Sequence, residues 1–250
     1  MFQKYILLGM IVFLGGCTTF NPATERNELI FISTPEEVAM GVQADQELSS
    51  KNKVISGTEE AERLERIGQK VAHVSDRQDF AYHFKLVESE DLNAFTVPGG
   101  FIYFYTGLFR KLKTDDQVAA VLAHEIGHCA AKHTVKRFQA ALGYNLVSSM
   151  MGQVMTAKAP GAASIMSMGA NAVAQLAMSA YSRQDESQAD HLGIKYLRLS
   201  GYNLNAMIEM FEILEQNTHA DSTPLILRTH PLTKDRLEAV RKEIEAIEKK

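Results

Sequence analysis

Two histidines four residues apart, with a glutamate beside the first, constrain this chain more than any other feature: His124, Glu125 and His128 lie in HEIGHCAAKH, residues 124 to 133. Thr114 and Gln117 have the spacing of a helix-capping box, and Val118, Val121 and Leu122 carry a helical apolar stripe into the motif. Residues four apart share a helical face, so His124 and His128 can direct ring nitrogens at one ion about 2.0 to 2.1 Å from each. Glu125 is rotated off that direction. From there its carboxylate can take a proton from water, whose pKa a bound zinc lowers towards about 7. A catalytic zinc site usually has three protein ligands, so the chain must fold a third donor onto this helix. Glu186, Asp190, His191, His219 and His230 are the downstream candidates. Glu186 and Asp190 stand out as a pair on one helical face of YSRQDESQAD, residues 181 to 190, where one carboxylate can bind the metal while the other orients a ligating histidine. A solvated acidic face has the same spacing, so the third ligand stays open at this point.

The rest of the chain predicts an α+β fold with helices dominant. Thr34, Pro35 and Glu37 form a capping box for one helix, and a second opens at Thr58 with Leu64, Ile67, Val71 and Val74 on one stripe. From Phe80 the period changes to two, with Phe80, Tyr82, Phe84 and Leu86 on one face. Phe101 to Thr106 is another β-favouring run, separated from the first by Pro98-Gly99-Gly100. A small sheet is expected, then helices almost to the C-terminus.

The first residues read as an export signal, with Lys4, an apolar run from Tyr5 to Leu14, and small residues before Cys17. That run is shorter than the roughly 20 residues a permanent span needs. LGGC, residues 14 to 17, resembles the bacterial lipobox, in which the cysteine is lipidated and becomes the new N-terminus; Gly15 is a less usual occupant of its position. By the same resemblance, Thr18 in place of Asp favours the outer membrane, facing the periplasm. The expected organisation is a signal peptide over 1–16, a lipidated tether and lead-in strand over 17–32, and one metal-binding domain over 33–250. Lipidation of Cys17 leaves Cys129 alone, which excludes an intramolecular disulfide framework. A net charge of -4, scattered along the chain, disfavours nucleic acid as a partner. Residues 138–182 carry one charge, Lys158, and six of the eleven methionines, yet recurring Gln and Asn and the break at Pro160-Gly161 weaken a membrane span. A helical hairpin with methionines as adaptable packing is expected there, or a lid over the site.

Four segments together resemble the HtpX and CAAX prenyl protease class of gluzincin zinc metallopeptidases, particularly its periplasmic lipoprotein members. They are NAFTVPGGFIYFYTGLF at 93 to 109, HEIGHCAAKH, YSRQDESQAD, and RTHP at 228 to 231. The resemblance implies one zinc per chain, with Glu186 as third ligand beside His124 and His128, and Asp190 orienting a ligand. It also implies that 97 to 105, around Pro98, Gly99 and Gly100, is an edge strand on which an extended peptide pairs. His230 falls where that class places a histidine near the metal, either as an oxyanion stabiliser with a catalytic role or as a fourth ligand that silences the resting enzyme. Many members carry a helical repeat domain after the protease, whereas here one amphipathic helix is expected to close the chain.

By helical-wheel position His133 lies nearly opposite His124 and reads as structural, and Cys129 as a buried, inert thiol. His73, His83, His191 and His219 have no motif support. The expected activity is zinc-dependent endoproteolysis in the bacterial envelope on misfolded or stalled outer-membrane proteins, with a lipid anchor to the membrane. An assembly chaperone with low or latent proteolysis, or a metal hydrolase acting on something other than peptide, would use the same motif.

Overall fold

The computed structural model of the protein describes residues 18–141, 172, 175, 176, 178–218 and 223–249. The fold is α+β and mostly helical. A hairpin of β1 (Thr18–Asn21) and β2 (Arg26–Leu29) leads into α1 (Thr34–Lys51), the short β3 (Val54–Ile55) and α2 (Glu59–Ala72). There follow β4 (His83–Val87), β5 (Ala94–Val97), β6 (Phe101–Tyr105), α3 (Thr106–Lys111) and α4 (Asp115–Ala130). Residues 133–141 are helical too. Beyond them come α5 (Arg183–Ser200), α6 (Ala206–Gln216), α7 (Leu225–Thr229) and α8 (Lys234–Glu248). No described helix is long and apolar enough to cross a membrane. Cys17, His219 and most of the expected hairpin over 138–182 lie outside the described residues.

The sheet order is β3-β4-β6-β5, with β6 parallel to β4 and antiparallel to β5. Both faces of β6 are covered. Ile102 and Phe104 join the core formed by Leu64, Ile67 and Val71 of α2 and Val118, Leu122 and Ile126 of α4, while Phe101 and Tyr103 join a second cluster with Ile30, Ala44, Val97 and Phe138. The stripe read for α2 is therefore the face it buries, although Val74 falls beyond the helix end.

Three local expectations change. The expected edge segment over 97–105 is not one strand: β6 is internal, β5 is the edge, and Pro98, Gly99 and Gly100 form the buried turn between them. Gly99 and Gly100 have φ of 75° and 83°, a left-handed backbone that reverses the chain and that other residues adopt at a cost. An edge strand does stand beside the HEIGH helix, but it is Ala94–Val97, all four residues of which are buried. The cap of α1 is Ser33 rather than Thr34: the Glu36 carboxylate accepts from Ser33 N and Oγ at 2.7 and 2.6 Å. Tertiary structure decides this, because Glu37 turns inward to pair with the buried guanidinium of Arg77. That pair also accepts from Gly99 N at 3.2 Å and donates to Cys129 O at 3.1 Å, tying α1, the glycine turn and the end of α4 together. Finally, the lead-in strand over 18–32 is a two-stranded hairpin.

Candidate metal centre

The hydroxyl of Thr114 accepts from Gln117 N at 3.2 Å and starts α4 as expected. In α5, Ser182 and Asp185 form a reciprocal capping box, which sets the first turn so that Glu186 and Asp190 both face inward. The two helices approach closely at Gly127, where any side chain would collide with the backbone of Ala189. His230 follows α7, and its backbone N–H donates to Ile226 O. Tyr181 N donates to Thr229 O at 3.0 Å and fastens that turn to the start of α5.

This packing brings His124, His128, Glu186 and His230 together, all buried, with one ligand atom from each within 4.8 Å of the others. His124 Nε2 lies 3.1 Å from His128 Nε2 and 3.2 Å from His230 Nδ1. Glu186 Oε1 is 3.0 Å from His230 Nδ1 and 3.4 Å from His128 Nε2. Ligands at about 2.0 to 2.1 Å from a tetrahedral metal stand roughly 3.3 to 3.4 Å apart; these four neighbouring separations are within about 0.4 Å of that, and every pair in the group lies within 4.8 Å. Three ring nitrogens and a carboxylate oxygen converge, a donor set that a single cation would satisfy.

The remote ring nitrogens are held as well. His124 Nδ1 is 3.0 Å from Asp190 Oδ1, and both Asp190 oxygens accept from Arg236, at 2.8 and 2.7 Å. A nitrogen of the same guanidinium is 2.6 Å from Glu186 Oε2. On the other side His128 Nδ1 is 2.9 Å from His133 Nδ1, and His133 Nε2 is 2.9 Å from Gln188 Oε1. With His128 Nε2 turned to the cluster, its Nδ1–H must donate, so His133 accepts at Nδ1 and donates from Nε2. Burial keeps the His133 pKa below its usual value, consistent with that neutral tautomer.

Charge follows the same plan. Burial opposes a charge on His124, but its bonds to Asp190 and Glu186 overcome this and push the ring up to about 10. Burial holds His128 well below the usual histidine range. Glu186 is held far below the usual carboxylate range, against burial, by His230, His124 and His128. In the metal-free state one ring thus carries positive charge between two carboxylates, the electrostatic demand a cation meets. Glu125 differs: burial raises its carboxyl, against the charges of His230 and His124. Its Oε1 lies 3.5 Å from His230 Nε2, and among the described residues neither oxygen has a hydrogen-bond donor. A buried carboxylate kept free of donors is costly and is placed for a proton arriving from elsewhere. Beside it lies a narrow apolar pocket walled by Val121, Met210, Phe211, Leu214, Ile226 and Leu232.

The helical-wheel position of His133 opposite His124 assumes an unbroken helix. In fact α4 stops at Ala130, and Lys132 takes a left-handed φ of 57°, so the chain turns and His133 comes back onto His128. Tyr181, whose ring lies over His128 with centroids 3.8 Å apart, was also given no role by sequence reasoning, nor was Gln188. Position in YSRQDESQAD was the only available signal for either. Cys129 is buried, bonded to Thr96 Oγ1 at 2.8 Å, and pushed by burial up to about 12. His191 is away from the cluster and pairs with Glu243.

Comparison with known proteins gives a match of residues 58–244 to the profile of peptidase family M48. The beta-barrel assembly-enhancing protease of Escherichia coli K12 is 27% identical over 210 residues, 82% of this chain but 43% of its own length. The chain therefore spans less than half of that relative. The metalloprotease LoiP of the same organism is 28% identical over 250 residues, 96% of each chain. The mitochondrial metalloendopeptidase OMA1 of Saccharomyces cerevisiae is 24% identical over 276 residues, 96% of this chain and 74% of its own.

Proposed function

The chain belongs to peptidase family M48, and from that premise we propose that it is a metalloendopeptidase whose ion is zinc, held by His124, His128 and Glu186, one per chain. The observation that carries this is the buried convergence of four donor atoms, neighbours 3.0 to 3.4 Å apart, with Glu125 free beside them. When bound, zinc lowers the pKa of water from 15.7 to about 7 and polarises a carbonyl. Glu125 receives the proton of the attacking water and delivers it to the departing amine, a role suited to a carboxyl raised by burial. Asp190 with Arg236, and His133 with Gln188, fix the tautomer and direction of the two histidines. His230 Nδ1 stands at a fourth ligand position and closes the one that catalysis needs open, so the resting enzyme is latent. The buried β5 edge supports the same reading, since a peptide strand must displace what covers it.

We place the enzyme with the periplasmic lipoprotein members of the family. Residues 1–16 act as a signal peptide, Cys17 is lipidated, and residues 33–250 form one catalytic domain at the periplasmic face of the outer membrane. LGGC followed by Thr18 supports the anchor. Misfolded or stalled outer-membrane proteins are the substrates, a class supported by the name of the beta-barrel assembly-enhancing relative.

Metal analysis of the purified protein together with cleavage of an unfolded protein tests this reading. One equivalent of zinc is expected, with cleavage abolished by a chelator and by Glu125→Gln, which keeps its metal. No bound metal, or cleavage indifferent to both, overturns it. Restoration of envelope assembly by Glu125→Gln would favour a chaperone. At matched zinc occupancy, His230→Ala is expected to cleave faster than wild type; a loss of about 100- to 1,000-fold would instead make His230 an oxyanion donor.

A further inference from the structure

The hairpin that precedes the catalytic domain has an unusual outward face. Directly opposed residues of an antiparallel pair share a face, and the register pairs Thr18 with Leu29 and Phe20 with Asn27. Asn21 and Glu28 therefore point the other way, into the body, where Asn21 Nδ2 donates to Ala130 O at 3.2 Å and Glu28 pairs with Lys136 at 2.6 Å. Beyond β2 the alternation continues, with Ile30 and Ile32 buried and Phe31 outward. Phe20, Leu29 and Phe31 are 58%, 53% and 55% exposed, three of the five large apolar side chains exposed among the described residues. Isolated exposed apolar residues need no explanation, but a cluster on one hairpin face marks a contact surface. The face is also held rigidly. Gln139 accepts from Phe31 N and Ile32 N at 2.8 and 3.0 Å and donates to Leu29 O at 3.1 Å.

We propose that Phe20, Leu29 and Phe31 form a membrane-contact face that rests in the headgroup and acyl boundary of the bilayer anchoring Cys17. The inference rests on the lipidation reading. An extended chain covers at most about 3.6 Å per residue, so Phe20, three residues from Cys17, lies within roughly 11 Å of the acylated sulfur's own backbone. Lipid chains seated in the bilayer bring the hairpin to its surface, and bilayer is the apolar phase available at that distance. Partial insertion of a half-exposed Phe or Leu favours contact by roughly fivefold each, and by on the order of 100-fold for three acting together. The acyl chains secure residence at the membrane, and the hairpin fixes orientation. Because Asn21 bonds to the last residue of α4, that orientation passes directly to the metal helix, so the cleft meets substrates at a set height above the bilayer rather than swinging on a tether.

The chain contains no tryptophan, so single reporters can be placed cleanly. The mature chain, residues 17–250, is coupled through Cys17 to a maleimide-headgroup lipid in phosphatidylethanolamine and phosphatidylglycerol vesicles; Cys129, buried and with its thiol held near 12, is spared. Phe20→Trp and Phe31→Trp are compared with Leu199→Trp, an equally exposed position near the C-terminus of α5, where the following turn bonds through Asn203 to Asp116 at the start of α4, the end remote from Ala130. The expected result is blue-shifted emission, strongly quenched by brominated acyl chains, for the two hairpin reporters alone. Solvent-like, unquenched hairpin emission on tethered protein overturns the proposal. So does a blue shift without vesicles: one independent of dilution shows another segment of this chain on the face, and one that grows with concentration shows a second copy. Separately, the mass of the N-terminal peptide from envelope-purified protein tests the anchor. An unmodified Cys17 refutes lipidation whatever the reporters show, and removes the contact from the cell.

Discussion

Replacing Gly127 with alanine tests whether metal binding depends on how closely α4 and α5 approach. A methyl group at this position would sit 2.8 Å from Ala189 O and 3.2 Å from Ala189 Cα. Both are backbone atoms, which no side-chain rotation can move. Ordinary contact begins near 3.4 Å, so α5 must shift by about 0.6 Å to admit the methyl. Glu186 lies one turn before Ala189 on the same helix and shifts with it, whereas metal-ligand distances tolerate about 0.2 Å. Asp190, next to Ala189, retreats from His124 at the same time. We expect a loss of zinc affinity of about 10- to 100-fold, the scale typical when support of a ligand is disturbed. The local helix gains about 1 kcal/mol from Gly→Ala, against about 1 to 3 kcal/mol for overpacking, so the metal-free protein should be slightly destabilised. Competition with a chromogenic chelator measures the affinity, and thermal melts of metal-free protein measure the stability. Gly193→Ala is the control: its nearest neighbour is Met207 Cε at 2.7 Å, the free end of a flexible side chain, and its tightest backbone contact, His124 N at 3.3 Å, asks for a shift of only about 0.1 Å. Unchanged zinc affinity and a raised melting temperature for Gly127→Ala would refute the argument.

Three further outcomes are expected. His133→Ala removes the acceptor for His128 Nδ1–H and should weaken zinc binding by about 10- to 100-fold, with partial rescue by His133→Asn, whose amide oxygen can accept; equal loss in both variants would mean His133 only fills space. Arg236→Met strands Asp190 and Glu186 as buried carboxylates and should cost about 3 to 5 kcal/mol in denaturant unfolding of the metal-free protein, and a cost below about 1 kcal/mol would contradict the pairing. In a Cys17→Ser background, Cys129 should react with a disulfide reagent at pH 8 only after denaturation, since a thiol pushed up to about 12 is almost wholly protonated and is also covered. Native-state reaction at the rate of a free thiol would show that α4 and β5 part readily.

The sequence alone determined those features whose physics is local. Four-residue spacing placed His124 and His128 on one face, Thr114 capped their helix, and the stripe of Leu64, Ile67 and Val71 fixed the buried side of α2. Family resemblance then pointed to Glu186, Asp190 and His230, which the fold brings together from α5 and the turn after α7. What tertiary structure decided were choices between equivalent local options. Ser33 and Thr34 both precede a glutamate by three residues, and the inward pull of Arg77 on Glu37 leaves Glu36 to cap Ser33. Strand order is likewise invisible to a period-two pattern, because β5 and β6 are buried on both faces along nearly their whole length; only the reversal at Gly99 and Gly100, which slots β6 between β4 and β5, leaves Ala94–Val97 at the edge. His133 shows the same limit. A helical wheel holds only while the helix does, and one left-handed residue at Lys132 brings His133, remote on the wheel, back onto the proposed ligand His128.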